Sequence, residues 1–347
     1  MRVRTLVEND HQVVHPHRSL KSRLTWLGIG VAGIAALFAV RAVTAETVDA
    51  GLPNQLQDLL TLATSVIVES MPFVILGIIL SIAVQEWVPD SWILRVLPRN
   101  AFARRAVISF LGFFLPVCEC GNVPLARGLM VKGFTVSESM TFLLAAPIIN
   151  PITIATTHAA FGWDGWVLVA RLVGGFVIAN LVGWLFSRHN DQDSLLTRRF
   201  AAECRLPQTH EHGGARIHKS LELFIRETSV IMPALFIGSV IAGAIQVLVP
   251  RSVLVTLGSN PLWSILAMLV LAFVISICSN VDAFFILPFA STFMPGSIVT
   301  FLVFGPIIDI KMLALLRTTF TTKVLVQLTV IVGLLAALIG LVVNYVA

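Results

Sequence analysis

Apolar runs at roughly 26–43, 59–88, 106–126, 136–157, 164–186, 221–249, 262–281, 298–316 and 324–346 occupy most of the chain. A helix needs about 20 such residues to cross the hydrocarbon of a bilayer. Backbone polar groups in lipid must be satisfied internally, so these runs predict helices rather than open sheets. Of the 347 residues, 56% are hydrophobic and 12% charged, where a soluble domain carries about 25% charged residues. The expected fold class is an all-α polytopic membrane protein with about seven to nine membrane segments. The net charge of +5 is accounted for by basic loops on the cytosolic side of such proteins, and no nucleic-acid partner is expected.

Residues 1–23 are polar and basic and read as a cytosolic tail, followed by a first transmembrane helix over 24–45. Val43-Thr44-Ala45 resembles a signal-peptide cleavage site, but the apolar run exceeds the usual 7–15 residues of a signal core; a retained helix is the reading adopted. Residues 187–220 are the one long hydrophilic interruption and read as a cytosolic linker between halves spanning 59–186 and 221–347.

The halves are related. MPFVILGIILSIAVQEWVP (Met71–Pro89) recurs as MPALFIGSVIAGAIQVLVP (Met232–Pro250), offset by 161 residues. TFLLAAPIIN (Thr141–Asn150) recurs as TFLVFGPIID (Thr300–Asp309), offset by 159, and Cys120-Gly-Asn-Val as Cys278-Ser-Asn-Val, offset by 158. Three blocks in one order indicate an internal duplication.

Charge distribution orients the halves. If every run crosses, the basic 89–105 and 187–220 loops fall on opposite sides, against the positive-inside rule. If the two runs carrying the Cys-x-Asn-Val blocks enter and leave on one face, 19 of the 24 Lys and Arg residues sort to the cytosol. That scheme has two re-entrant or broken elements, repeats inverted relative to each other, and a cytosolic N-terminus in the cytoplasmic membrane. Inverted repeats with interrupted helices meeting at the midplane are a transporter plan. Pro116, Gly121 and Pro124, with Pro147/Pro151 and Gly305/Pro306, are the expected breakers.

Ionisable groups inside a membrane are costly and mark function. The candidates are Glu69, Glu119, Asp282, Asp309, Lys311 and Arg171, with Asn122, Asn150 and Asn280 beside them. Asn150 and Asp309 are equivalent in the two repeats, as are Asn122 and Asn280. They either converge on one substrate site or cap broken helices, and both roles are compatible. Asp309 and Lys311 either serve such a site or neutralise other groups in the bundle. Cys118, Glu119, Cys120 and Cys278 form a candidate ligand set for a soft metal or metalloid; the plainer alternative is that the thiols are small buried apolar groups. Cys204 lies in the linker and is given no role, and no disulfide framework is expected. His11, His15, His17, His189, His210, His212 and His218 fall in the tail and linker, where metal binding competes with simple solvation.

The stretch PVCECGNVPLARGLMVKGFTVSESMTFLLAAPIINP resembles the signature of the bacterial predicted permeases that include organoarsenical efflux permeases and YraQ-type proteins. The residues carrying the resemblance are Pro116, Cys118, Cys120, Gly121, Pro124, Leu125, Lys132, Gly133, Phe142, Leu143 and Pro147, and it covers about 59–346. It implies a secondary permease whose cysteine pair contacts substrate. Glu119 stands where serine is usual in the family, which weakens an arsenical reading and favours a divalent metal such as zinc.

The leading expectation is a permease for a thiophilic metal, metalloid or organoarsenical solute, with Glu119 or Asp282 exchanging protons. An intramembrane enzyme and a membrane scaffold docking a partner through 187–220 are the alternatives, separated by deleting 200–218. No phosphate-binding loop, nucleophile–His–acid set or zinc-protease signature occurs, so no enzyme activity and no cofactor are expected. The partners expected are lipid, a small solute or metal ion, and at most a second copy of the chain as a homodimer.

Overall fold

The computed structural model describes scattered positions between 28 and 39 and residues 54–89, 97–115, 117–163, 166–205, 214–248 and 261–346. The N-terminal tail, most of the first apolar run, Pro116, His210 and His212 lie outside them. The described residues form fourteen α-helices: α1 (Asn54–Trp87), α2 (Ala101–Ser109), α3 (Leu111–Phe114), α4 (Glu119–Val131), α5 (Val136–Ala145), α6 (Pro151–Phe161), α7 (Trp166–Ser187), α8 (Arg198–Cys204), α9 (Gly214–Leu248), α10 (Pro261–Ile275), α11 (Asp282–Ile286), α12 (Pro295–Phe304), α13 (Ile310–Leu316) and α14 (Thr322–Val346). Two 3₁₀ turns, Asp193–Leu195 and Leu287–Ser291, complete the order.

Among the described residues, four helices are long and apolar enough to cross a membrane: Gln55–Trp87, Trp166–Ser187, Arg216–Leu248 and Thr322–Val346. Through their middles the large exposed residues are apolar, among them Val68, Leu76, Ile79, Val173, Val177, Ile237 and Ile241, while exposed charges such as Asp58, Glu222 and Lys323 lie towards helix ends. On α14, Val326, Val330, Leu334, Leu338 and Val342 recur every fourth residue and are exposed, a lipid-facing stripe. Other charges lie inside: Glu119, Arg171, Asp282, Asp309 and Lys311 are buried. A bundle that is apolar outside and charged inside is built for a membrane. Trp87, Trp163 and Trp166 are exposed at helix ends, as an interfacial aromatic belt requires; Trp92 lies outside the described residues.

The element order of the first half recurs in the second. A long helix containing a proline (α1 with Pro72, α9 with Pro233) is followed by two interrupted helices and a long spanning helix. The packing of α5 on α7 recurs as α12 on α14, and that of α2 on α5 as α10 on α12. Helices α1 and α9 pack directly on one another.

The charge pattern predicts two broken elements; the described residues show four breaks, two of them at the expected breakers Pro147/Pro151 and Gly305/Pro306. The four are 115–118 before α4, 146–150 between α5 and α6, 276–281 before α11, and 305–309 between α12 and α13. Runs 136–157 and 298–316 are therefore not continuous helices. Pro147 and Pro151 in one, and Pro306 in the other, supply no N–H to a helical ladder. Gly121 and Pro124, expected to open the helix, lie inside α4. Gly121 serves close packing there: a Cβ on Gly77 of α1 would stand 2.2 Å from the Gly121 carbonyl oxygen, so the two helices meet backbone to backbone.

Helix α4 ends at Gly133, whose φ of +93° admits glycine without strain. Phe134 N–H donates to the Leu129 carbonyl and Gly133 N–H to that of Met130, closing the helix as a Schellman motif. Thr135 and Glu138 then form a reciprocal capping box that starts α5 two residues later.

Part of the stretch read as a linker is packed onto the bundle. Leu196 and Phe320 form an antiparallel bridge, with Thr197 N–H donating to the Thr319 carbonyl at 2.9 Å and Thr321 N–H to that of Leu195 at 3.1 Å. Phe200 is buried, and Arg127 of α4 lies over its ring, 4.1 Å from the centroid. The Arg127 Nε donates to Glu227 Oε2 of α9 at 2.9 Å and a second nitrogen reaches Glu203 Oε2 of α8 at 3.5 Å. A cavity of about 330 Å³ adjoins this cluster. Deleting 200–218 would strip Phe200 and Glu203 from the core, so that deletion does not separate a scaffold from a permease.

Candidate solute site at the meeting of four helix breaks

Hydrogen bonds tie the four breaks to one another. Asn150 caps α6 through Ile152 N–H at 2.9 Å, and its side-chain amide donates to the Val117 carbonyl in the break before α4 at 3.1 Å. Thr153 of α6 donates to Asn280 Oδ1 in the break before α11 at 3.5 Å. Ser279, in that same break, donates its hydroxyl to Glu119 Oε2 at 3.1 Å. Asp309 caps α13 through Met312 N–H, and Lys311 on α13 reaches both Glu119 and the break before α11. The equivalence of Asn150 and Asp309 thus has a physical content: both start the second half of a broken helix with a side-chain oxygen.

Glu119 is the hub. It is the first residue of α4, with Cys118 at the N-cap, where the positive end of the helix dipole favours an anion. Its Oε1 lies 3.3 Å from Lys311 Nζ, and both residues are 1% exposed. Cys278 Sγ stands 3.6 Å from Glu119 Oε2. Donor atoms of Cys118, Glu119 and Cys278 all lie within 4.8 Å of one another. Zinc–ligand bonds of about 2.0–2.3 Å place neighbouring donors of a tetrahedron about 3.3–3.8 Å apart, so a small contraction would bring three donors onto one ion.

The other candidates take different places. Cys120 lies beside Cys118 with its Sγ 3.7 Å from the Ser70 hydroxyl of α1, one step removed from the three-donor group. Asn122 is fully buried in α4, and neither its amide nitrogen nor its oxygen has a partner. Asn280 is half-buried in the break. Glu69 of α1 is half-buried and feels the charges of Lys311 and Glu119. Asp282 was expected to exchange protons, but both its oxygens are held by Arg171 of α7, at 3.0 and 2.6 Å. Arg171 also donates to Thr157 at 2.7 Å. This bidentate pair joins the halves across 111 residues.

Sequence reasoning named Lys311 and Arg171 without their partners, because both pairs form between residues more than a hundred positions apart. It gave no role to Ser279 or Ser276. Ser276 has a φ of +52°, a strained conformation for a residue with a side chain, and its carbonyl accepts from Lys311 at 3.4 Å.

Interrupted helices whose ends meet inside an apolar-coated bundle, around buried thiols and charges, define a membrane transport protein rather than a soluble enzyme. The chain belongs to the family of predicted permeases, whose model matches residues 55–345. It is 36% identical over 281 residues to the UPF0718 protein YcgR of Bacillus subtilis, covering 79% of this chain and 92% of that protein. It is 34% identical over 277 residues to a Streptococcus mutans protein named as a subunit of a two-component membrane permease complex, covering 80% and 91% respectively. The Escherichia coli UPF0718 protein YraQ matches at 31% identity over 116 residues, about a third of each chain. No solved structure matches it.

Proposed function

We propose that this permease is a secondary-active transporter of the cytoplasmic membrane that moves a thiophilic metal, metalloid or organoarsenical solute. Cys118, Glu119 and Cys278 contact that solute at the centre of two inverted repeats. The observation that carries the reading is the convergence of two thiols and a carboxylate, contributed by both halves, within 4.8 Å of one another in a membrane interior. Soft thiolates select soft ions and metalloids, and a site shared between two halves can change its exposure when the halves move. Asn122, Asn150, Asn280 and Asp309 line or cap the same break region, and Cys120 backs the first thiol. The N-terminus and the 187–220 stretch lie in the cytosol.

The test is a sensitivity and accumulation panel with zinc, cobalt, copper, arsenite and methylarsenite. Cells carrying wild type are compared with Cys118→Ser/Cys278→Ser and Glu119→Gln. The wild type alters accumulation of at least one soft solute and the double serine variant loses that effect. Equal accumulation in all three strains for every solute would rule the reading out.

A second reading is supported by the Streptococcus mutans relative: this chain is the membrane subunit of a two-component permease. Co-purification of one stoichiometric membrane protein from the native host supports it, and a transport-competent chain reconstituted alone contradicts it.

A further inference from the structure

Besides Arg127–Glu227, two buried ion pairs of the break region join the halves, and they differ in kind. Arg171 holds Asp282 through two bonds, at 3.0 and 2.6 Å, in the fork geometry of a fixed pair. Lys311 Nζ meets Glu119 Oε1 at 3.3 Å and the Ser276 carbonyl at 3.4 Å. Charge-assisted bonds are normally about 2.7–2.9 Å long, so the ammonium is held loosely at both contacts. An alternative acceptor lies two residues away: Asp309 uses Oδ1 to cap α13, while its Oδ2 is buried with no partner.

We propose that Lys311 is the resident counter-ion of the solute site. Its ammonium occupies the cation's place beside Glu119 when the site is empty and transfers to Asp309 Oδ2 when a divalent thiophilic cation binds Cys118, Glu119 and Cys278. The inference rests on reading those three residues as the solute site, and it narrows the substrate class.

Charge supports the narrowing. Glu69, Asp282 and Asp309 each interact electrostatically with Glu119, and the bases among these groups are Lys311 and Arg171. Four carboxyl groups stand against two basic groups around the thiols, an acidic surrounding that favours a cationic solute over a neutral one. Low dielectric makes that imbalance costly when uncompensated. In the empty state Lys311, one of those two bases, stands against Glu119. It also competes with the bound ion, which keeps release fast enough for transport. The thiols that ligate give up their protons to solvent.

The site's own repeat supplies a mild variant. Asn150 stands at the position equivalent to Asp309 and caps its helix, so Asp309→Asn keeps the cap and removes only the charge waiting for Lys311. Cd²⁺ binding to the purified full-length protein in detergent is measured by calorimetry for wild type, Lys311→Met, Lys311→Arg, Asp309→Asn and Cys118→Ser. Lys311→Met, freed of the competing cation, binds Cd²⁺ at least about tenfold more tightly, and Asp309→Asn about tenfold more weakly; Lys311→Arg stays close to wild type. Should Lys311→Met fail to fold, Asp309→Asn decides the matter alone. Equal affinity in wild type and Asp309→Asn overturns the counter-ion role while leaving the solute site standing. Absence of Cd²⁺ binding to wild type overturns the site and the counter-ion together.

Discussion

Lys311 and Glu119 lie 192 residues apart in sequence, in different halves of the duplication, yet their charged groups meet at 3.3 Å in the centre of the bundle. Around that pair stand the two thiols, the Ser279 hydroxyl and the ends of four broken helices. Breaking a helix frees backbone donors and acceptors, which persist at membrane depth only when protein or water satisfies them. The side chains of Asn150, Asp309 and Thr153, and the ammonium of Lys311, supply those partners. The same residues that make the breaks tolerable also bring the polar groups together, so architecture and site are one construction.

The Arg171–Asp282 pair is expected to hold the two halves together. Removing one member of a buried pair strands the other charge and costs about 3–5 kcal/mol. Arg171→Met is expected to lower the thermal midpoint of the detergent-solubilised protein and its level in membranes. Thr157→Val, which deletes only the accessory bond, costs about 1 kcal/mol. Thermal unfolding of the two variants side by side checks the ranking.

At Gly121, a methyl group would sit 2.1 Å from Val117 Cγ1 and 2.4 Å from the Phe73 carbonyl oxygen. The second contact is backbone and has little freedom to yield. Gly121→Ala is expected to cost about 1–3 kcal/mol through overpacking and to push α4 away from α1. The thermal midpoint checks the cost. A loss of Cd²⁺ or arsenical binding at permissive temperature shows that the displacement reaches Cys118 and Glu119.

Cys204 lies at the end of α8, outside the membrane-spanning helices. Burial, reinforced by the neighbouring Glu203 carboxylate, pushes its thiol up to about 12. The thiolate is the reactive form, so the folded protein at pH 8 should alkylate at this position about a thousandfold more slowly than a thiol with the ordinary value of 9.0. The rate should rise with pH through that value. Phe200→Ala, by loosening α8 from Arg127, should accelerate the reaction. Mass-spectrometric labelling kinetics at pH 7, 8 and 9 measure both effects.

Topology has its own test. The inverted arrangement places the loop near Arg99 and the stretch near residue 200 on the cytosolic face. Paired alkaline phosphatase and fluorescent-protein fusions at these positions should report the cytosol at both; opposite faces would refute the arrangement.

Much of this was legible in the chain. Long apolar runs fix a helical membrane protein because lipid leaves few alternatives. The recurrence of Cys-x-Asn-Val and Pro-Ile-Ile-Asn/Asp located the breaks' polar residues, since duplicated polar groups inside apolar runs must be paired somewhere. Pairings were not legible: Glu119 with Lys311, and Asp282 with Arg171, depend on how the two halves dock. Gly121 and Pro124 were misjudged as breakers because glycine in a helix serves either flexibility or close approach, and only Gly77 across the contact distinguishes them. The docking of Phe200 was hidden for a similar reason. One buried aromatic residue in a hydrophilic stretch carries no periodicity.

The central claim is that both halves place ligands on one solute, and X-ray absorption at the cadmium edge tests it most directly. Wild-type protein loaded with one equivalent of Cd²⁺ should show two sulfur donors with oxygen completing the shell, and Cys278→Ser should retain a single sulfur. A shell of oxygen and nitrogen alone, or a sulfur count unchanged by Cys278→Ser, would contradict it.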